Sequence, residues 1–243
     1  MLLETLTRPL EHAPGLYQLR ALGAKVTALV DHQGVVLVDT GWRGSLPLIA
    51  RGLEHIGASI DRVRLIVITH HHPDHTGDLP AVVRATRAPL AAHRAEAPFI
   101  TGALPLPNPV RWPALSWPVR PLLPLLYGPP VPVDYPLDDG AALPFRPDVR
   151  AVHTPGHTPG SLSLYIQSTG SLIVGDALQY RFGWLRPPAA VISWDRRRAL
   201  LSIRKLASLD FDTIWFSHFP PLKRNARSTL RSLIARTTPH PAL

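Results

Sequence analysis

Cysteine is missing from this 243-residue chain. Its absence excludes disulfide scaffolds, thiolate nucleophiles and every zinc or iron–sulfur site built on sulfur. Long apolar runs are missing as well. None reaches the roughly 18 residues that a membrane-spanning helix needs; the best candidate, Pro121–Tyr127, is short and interrupted by Pro124. The opening residues Met1-Leu2-Leu3-Glu4 lack the basic start and long apolar stretch of a secretion signal, so a cytoplasmic location is the expectation. Charged residues are sparse at 18%, against 45% apolar, which is the balance of a globular protein and not of a disordered one. The length allows one substantial domain with a full hydrophobic core.

What charge there is lies unevenly. Residues 1–180 hold 14 Lys/Arg and 14 Asp/Glu, whereas residues 181–243 hold 12 and 3, so the whole net charge of +9 falls in the last quarter. Such a segment could attract acidic substrates or nucleic acid. Arg-rich solvated faces of amphipathic helices account for it more simply, and nucleic acid is not expected as a partner.

Ala24–Val30 and Val35–Asp39 are β-branched runs separated by Asp31-His32-Gln33-Gly34, a hairpin signal. From Leu46, the apolar positions Leu46, Ile49, Leu53 and Ile56 recur at helical spacing, and Gly57 stands where a C-terminal cap belongs. Leu65–Thr69 is an uninterrupted apolar strand of the kind buried on both faces. Leu79–Thr86 reads as a helix and Pro89–Ala92 as a short strand. Further strands are expected at Val149–His153, Ser161–Gln167, Ser171–Gly175 and Thr213–Ser217, with helices over Asp195–Leu209 and Arg227–Arg236. There is no solenoid-type repeat. Strand-then-helix halves before and after residues 98–147 suggest a layered α/β sandwich.

The stretch 98–147 differs in character. It holds 14 of the chain's 28 prolines and six charged residues, a density that forbids long helices and central strands. Its Leu106, Val110, Trp112, Leu115, Trp117, Leu122, Leu125 and Tyr127 favour a folded-over lid within a single domain spanning 1–243. Such a lid builds an apolar pocket wall for an acyl or aromatic substrate portion, or buries itself in a homodimer contact.

Five of the twelve histidines fall within Thr69–His93. Thr69-His70-His71-His72-Pro73-Asp74-His75 follows the buried strand directly. His70 and His72, two apart, can face the same way, while Asp74 and His75 swing to an adjacent position. Imidazole and carboxylate suit zinc, iron or manganese. Four candidate ligands in six residues exceed what one ion takes from a single loop, which points to two ions. By alternation His71 points away and is structural. Later strand ends carry His157 within His153-Thr154-Pro155-Gly156-His157-Thr158-Pro159-Gly160, then Asp176 after Gly175, then His218 after Ser217. His153 is expected to bond backbone. Thr69, Thr154 and Thr158 are candidate donors holding the ligating rings, and His93 and Tyr180 are candidate pocket residues.

These motifs resemble the metallo-β-lactamase-fold hydrolases, whose signature is His-x-His-x-Asp-His after a strand, followed by a His, a bridging Asp and a final His. All are present in that order as His70, His72, Asp74, His75, His157, Asp176 and His218. Asp39 in Val-Leu-Val-Asp-Thr-Gly matches the family's early Asp, which supports the metal loop from behind. The resemblance spans roughly residues 16–219. It implies an α/β fold, a four-layer αββα sandwich, with the proline-rich stretch as an insertion. It further implies one metal on His70, His72 and His157, a second on Asp74, His75 and His218, and Asp176 as bridge. Zinc is the expected metal, with Mn2+ or Fe2+ as alternatives. A metal-bridging hydroxide would attack the substrate, with Asp74 orienting it or carrying a proton.

The motif His157-Thr-Pro-Gly-Ser161 is similar to the glyoxalase II-like and acyl-homoserine-lactone lactonase-like branches, so a carboxylic ester, thioester or lactone is the expected small-molecule substrate. The 25 residues after His218 do not accommodate the glutathione-binding extension of true glyoxalase II, and Gln179 stands where the lactonases place Tyr, with Tyr180 one step off. A phosphodiesterase or nuclease, a mononuclear-iron persulfide dioxygenase and a non-catalytic metal-bound scaffold are the alternatives.

Overall fold

The structure is a computed structural model that describes residues 9–107 and 123–237. The chain divides into two compact units, Met1–Leu137 and Asp138–Leu243, and each is built on its own mixed sheet.

The first unit holds β1 (Leu10–Ala13), β2 (Leu16–Leu19), β3 (Val26–Asp31), β4 (Gly34–Val38), α1 (Leu46–His55), β5 (Val63–Ile68), α2 (Pro73–Thr76), α3 (Leu79–Thr86), β6 (Leu90–His93), α4 (Ala97–Ile100), α5 (Leu123–Tyr127) and β7 (Tyr135–Leu137). The seven strands lie in chain order, antiparallel from β1 to β4 and parallel from β4 to β7. The β3–β4 hairpin closes as its sequence suggests: Asp31 Oδ1 accepts the Gln33 and Gly34 amides at 2.8 and 3.1 Å, a side chain standing in for a backbone turn. On one sheet face Val26, Ala28, Leu37, Ile66 and Ile68 pack with Ile49 and Leu53 of α1 and Leu79 and Val82 of α3. Leu65 and Val67 on the other face are equally buried. Thus, beyond exposed Arg64 at its start, β5 is buried on both faces, and each Leu or Ile it buries contributes about 1.5–3 kcal/mol. Prolines fall in the first turns of α1, α2, α3 and α4, where a missing N–H costs nothing.

The second unit holds β8 (Ala142–Leu143), β9 (Arg146–His153), β10 (Leu162–Ile166), β11 (Ser171–Ile173), β12 (Gln179–Arg181), β13 (Trp184–Arg186), α6 (Arg196–Leu206), β14 (Thr213–Trp215), β15 (Leu222–Lys223) and α7 (Ala226–Thr237). Six strands run in the order β15-β14-β11-β10-β9-β8, with β11 and β14 parallel and the remaining pairs antiparallel. Leu172, Val174 and Ile214 pack with Ile203 and Leu206 of α6 and Leu230 and Leu233 of α7. Asp195 caps α6 by accepting the Arg198 amide.

Two expectations change. The proline-rich stretch supplies no central strand among the described residues, as expected, but it is more than a lid: it gives β7 at one edge of the first sheet and β8 at one edge of the second, and β9 begins at Arg146, three residues earlier than its sequence suggested. Edges tolerate this composition because half of an edge strand's N–H groups need no partner. The β12–β13 hairpin was not anticipated. Its loop, Phe182-Gly183, has positive φ at both positions (53° and 78°), so the turn chemistry is carried by Phe-Gly where Asn-Gly or Asp-Gly is the usual signal. Val110, Trp112, Leu115, Trp117 and Leu122 of the expected lid lie outside the described residues. Among the described residues no helix is long and apolar enough to cross a membrane.

Candidate metal centre

In the first unit, β5 delivers the chain into a buried turn. Thr69, His70, His71, His72 and His75 are all nearly inaccessible, and Asp74 is half-buried. The turn ends in α2, a single helical turn begun by Pro73, which carries Asp74 and His75. One ring nitrogen of His70 lies within 4.8 Å of one of His72 and of one of His75, and the His70 and His75 rings are 4.0 Å apart at their centroids. Asp74 Oδ2 stands 3.7 Å from His75 Nε2.

Asp39, at the end of β4, organises this turn. Its Oδ1 accepts the Thr69 amide at 2.8 Å, Thr69 Oγ1 donates to both its oxygens, and its Oδ2 lies 2.8 Å from His75 Nδ1. A carboxylate can only accept there, so His75 carries its proton on Nδ1 and offers Nε2. Thr69 Oγ1 also lies 3.0 Å from His70 Nδ1. Asp39 adopts φ 65°, a left-handed backbone uncommon for a side-chain-bearing residue. That backbone is held by its own amide donating to Val67 O and by Thr40, whose N–H and hydroxyl both donate to His75 O. Asp78, just beyond the turn, accepts the Leu46 amide and so caps α1, which has no side-chain cap of its own.

His71 turns elsewhere. Glu96 is fully buried, and its Oε1 accepts the His71 amide at 2.7 Å and the His71 Nδ1 proton at 2.5 Å. Phe99 packs against the same ring, tilted by 31° with centroids 4.7 Å apart. Glu96 escaped the sequence reading. The available signal was its isolation, since it is the only acidic residue between Asp78 and Asp134.

In the second unit three strand ends converge. His157 Nε2 lies 3.7 Å from Asp176 Oδ2, and His218 Nε2 lies 3.4 Å from Asp176 Oδ1, so one carboxylate meets a different imidazole on each oxygen. His157 and Asp176 are buried, and His218 is the more open of the three. The loop carrying His157 is clamped onto the start of α6. The Asp195 amide donates to Gly156 O, the Trp194 amide to His157 O, and Ser202 Oγ to Pro155 O. Gly156 is obligatory there, because a Cβ on it would come within 2.2 Å of the Ala199 backbone nitrogen.

Several expected partners resolve differently. Thr154 does not hold a ligating ring: its hydroxyl is shared with Ser163 Oγ at 3.0 Å and with the Ser161 carbonyl. Thr158 pairs with Ser161 Oγ. Both hydroxyls are instead engaged in closing the tight β9–β10 connection. His153 Nε2 bonds the Pro159 carbonyl, a backbone partner as anticipated. The Tyr180 ring packs into the core of the second unit and stacks on Phe216 at 5.9 Å. Buried His93 accepts the Ala95 amide at Nδ1. Leu125 points outward, whereas Tyr127 is buried, and that burial followed by the Asp74 and Glu96 carboxylates pushes its phenol well above the ordinary range.

The donors fit divalent metal: imidazoles and carboxylates alone, with His75 oriented by a buried carboxylate as ligating histidines are. The chain belongs to the metallo-β-lactamase superfamily, whose family model matches residues 19–218. It is therefore a metal-dependent hydrolase, and the α/β fold of that family is its fold. A probable metallo-hydrolase of Bacillus subtilis (strain 168), YflN, is 29% identical over 216 residues, covering 83% of this chain and 81% of that protein. A metallo-beta-lactamase family protein of Thermus thermophilus superposes with a TM-score of 0.70 at 26% identity, covering 92% of this chain and 79% of the other. BJP-1, a subclass B3 metallo-beta-lactamase of Bradyrhizobium japonicum, shares the fold at 22% identity with a TM-score of 0.65, over 90% of this chain and 81% of that one.

Proposed function

We propose that this chain hydrolyses a carboxylic ester, thioester or lactone whose acid portion is apolar, using two divalent ions, with zinc favoured over manganese or iron. In the assignment that follows from the family's motif order, His70, His72 and His157 hold one ion, Asp74, His75 and His218 hold the other, and Asp176 is shared. Bound there, such a pair supplies hydroxide at neutral pH and an electrophile for the carbonyl oxygen. The protein's own contribution is orientation and proton handling. Asp39 holds the His75 ring with Nε2 outward, and the Thr69 hydroxyl steadies His70. The Asp74 carboxylate, half-buried, is the group suited to carry a proton to the departing oxygen or sulfur.

The observation that carries the choice of substrate is a cavity of about 200 Å3 in the first unit. Its wall includes Leu79, Ile100, Leu106 and Val131, together with His71 and Thr76 of the ligand-bearing turn. No Lys or Arg is among its described lining residues, so it suits an acyl chain or an aromatic ring better than a phosphodiester.

The test is metal content by mass spectrometry, read beside initial rates on a thioester, a γ-lactone and a bis-aryl phosphate. We expect about two zinc ions per chain and turnover of the thioester or lactone, abolished by chelation and restored by metal. One iron and no hydrolysis would overturn this in favour of oxygenase chemistry. Phosphodiester turnover alone would favour the nuclease reading that the basic segment 181–243 supports.

A further inference from the structure

The basic last quarter of the chain, which the metal chemistry leaves unused, builds one side of a cleft of about 470 Å3 in the second unit. Arg181, Phe182, Arg186 and Arg196 line it, and Gln179 and the segment 187–190 complete the wall. No Asp or Glu is among its described lining residues. The three arginines are exposed, and none of them meets an acid among the described residues. Asp195, next to Arg196 in the chain, is committed to Arg198, whose amide it accepts and whose guanidinium stands 3.6 Å away. Elsewhere in the same segment Lys205 and Arg227 also meet acids, Asp139 and Asp210.

The β12–β13 ribbon sets two of the arginines side by side. Tyr180 and Leu185 pair across it and turn into the core of the unit. Alternation therefore puts Gln179, Arg181 and Arg186 together on the outer face. Gln179 is the direct partner of Arg186, so Arg181 stands diagonally from Arg186, about 7–8 Å away. Arg196 arrives by another route: the chain leaves β13 through Pro187 and Pro188 and returns to open α6. A cation at a helix start is opposed by the helix's own field. Three positive charges gathered on one cleft without an acid repel one another, and a bound anion turns that repulsion into attraction.

The charge and the size of the cleft narrow the anion. A carboxylate carries one charge and is satisfied by a single guanidinium fork, whereas a phosphate monoester offers three oxygens and nearly two charges to several. The volume exceeds what a bare phosphate fills, so the ligand has a body beyond it. Phe182 offers that body an apolar edge: its ring is 85% exposed, with the Arg181 guanidinium 5.6 Å from its centre.

We propose that this cleft binds a phosphate monoester on a small molecule, its oxygens held by Arg181, Arg186 and Arg196 and its body against Phe182. Such binding needs no metal and does not depend on which bond the metal centre hydrolyses.

The experiment is a calorimetric titration of the full chain, metal-loaded and again after chelation, at about pH 8, where a phosphate monoester is doubly charged. The probes are phenyl phosphate, benzenesulfonate (similar in shape, with one charge), inorganic phosphate and a single-stranded oligonucleotide. We expect phenyl phosphate to bind at least about tenfold more tightly than benzenesulfonate, with or without metal. Arg186→Ala and Arg196→Ala should each weaken it about tenfold or more at an unchanged thermal midpoint. Arg231→Ala removes an exposed charge of the same segment outside the cleft lining and should change it less than about twofold. Phe182→Ser should weaken phenyl phosphate and leave inorganic phosphate unchanged. Equal affinities for the two phenyl probes, or equal losses from Arg231→Ala and Arg186→Ala, would overturn the proposal in favour of a diffuse field. Binding that vanishes on chelation would place the phosphate on the metal centre instead. Tight oligonucleotide binding with phenyl phosphate silent would overturn it in favour of nucleic acid.

Discussion

The two units prepare their candidate metal-binding side chains by different means. In the first, four donors come from six consecutive residues, and a hydrogen-bond network through Asp39 and Thr69 sets their directions. In the second, His157, Asp176 and His218 come from three separate strand ends, and only one residue of each end takes part. Direction there is a matter of close packing: the His157 loop is pressed onto the start of α6, and backbone bonds replace a side-chain network. A cluster made locally can be disturbed through its network, whereas a cluster made at a distance is disturbed by moving an element. The first kind of damage should fall on metal affinity and the second on folding.

Gly156→Ala should give the largest effect. The added methyl meets backbone of α6, which cannot step aside as a side chain would, and the backbone is at φ 137°. A loss of about 3 kcal/mol or more is expected, read by urea or thermal unfolding, together with lost metal retention. Unchanged stability would mean that the His157 loop is not clamped as described.

Asp39→Asn probes the first unit in the complementary way. An amide in that position can accept with one group only, so Thr69 and His75 cannot both be served. Metal affinity measured by chelator competition should fall about 10–100-fold, with about 1–3 kcal/mol lost from folding. If unfolding changes as much as for Gly156→Ala while metal binding does not, the contrast between the units fails.

The smallest effect concerns an ion pair behind the His157 loop. Asp139 Oδ1 accepts from Lys205 Nζ at 2.5 Å and from the His153 amide at 2.9 Å, and Lys205 Nζ also donates to His153 O. Partial burial works to raise the Asp139 pKa, but the Lys205 and His153 bonds outweigh it and hold the carboxyl below its usual value. A depressed folded-state pKa means that the pair's contribution is present above the ordinary carboxylate value and is lost as pH falls through the lower folded one. The group is largely exposed, so well under about 1 kcal/mol is at stake. Thermal midpoints of the parent chain and Asp139→Asn should differ slightly near neutral pH and converge in strong acid, below the folded-state value. A difference that persists in acid would assign the effect to something other than this pair.

Much of this was legible in the chain. The apolar run before Thr69 could only be a buried strand, and the helix over Leu79–Thr86 matches its periodicity to the residue. Those features rest on short-range patterns, with side-chain period and chain length as the only inputs. The hairpin at Phe182-Gly183 was hidden because its residues are not the ones that favour two positive φ values. The edge strands β7 and β8 were hidden because proline density argues against strands in general but not against edges. Glu96 was hidden because a lone acid carries no pattern.

The donors themselves, their number and their order along the chain were determined by the sequence, because ligand chemistry belongs to residue type and the motif spacing belongs to one loop. Alternation already marks His71 as the one of three adjacent histidines that turns aside; tertiary structure decided what receives it, a carboxylate 25 positions later. It also decided what the proline-rich stretch does. Its apolar composition implied a wall, but a cavity exists only where distant segments close around it, and volume is a property of packing, not of any segment alone.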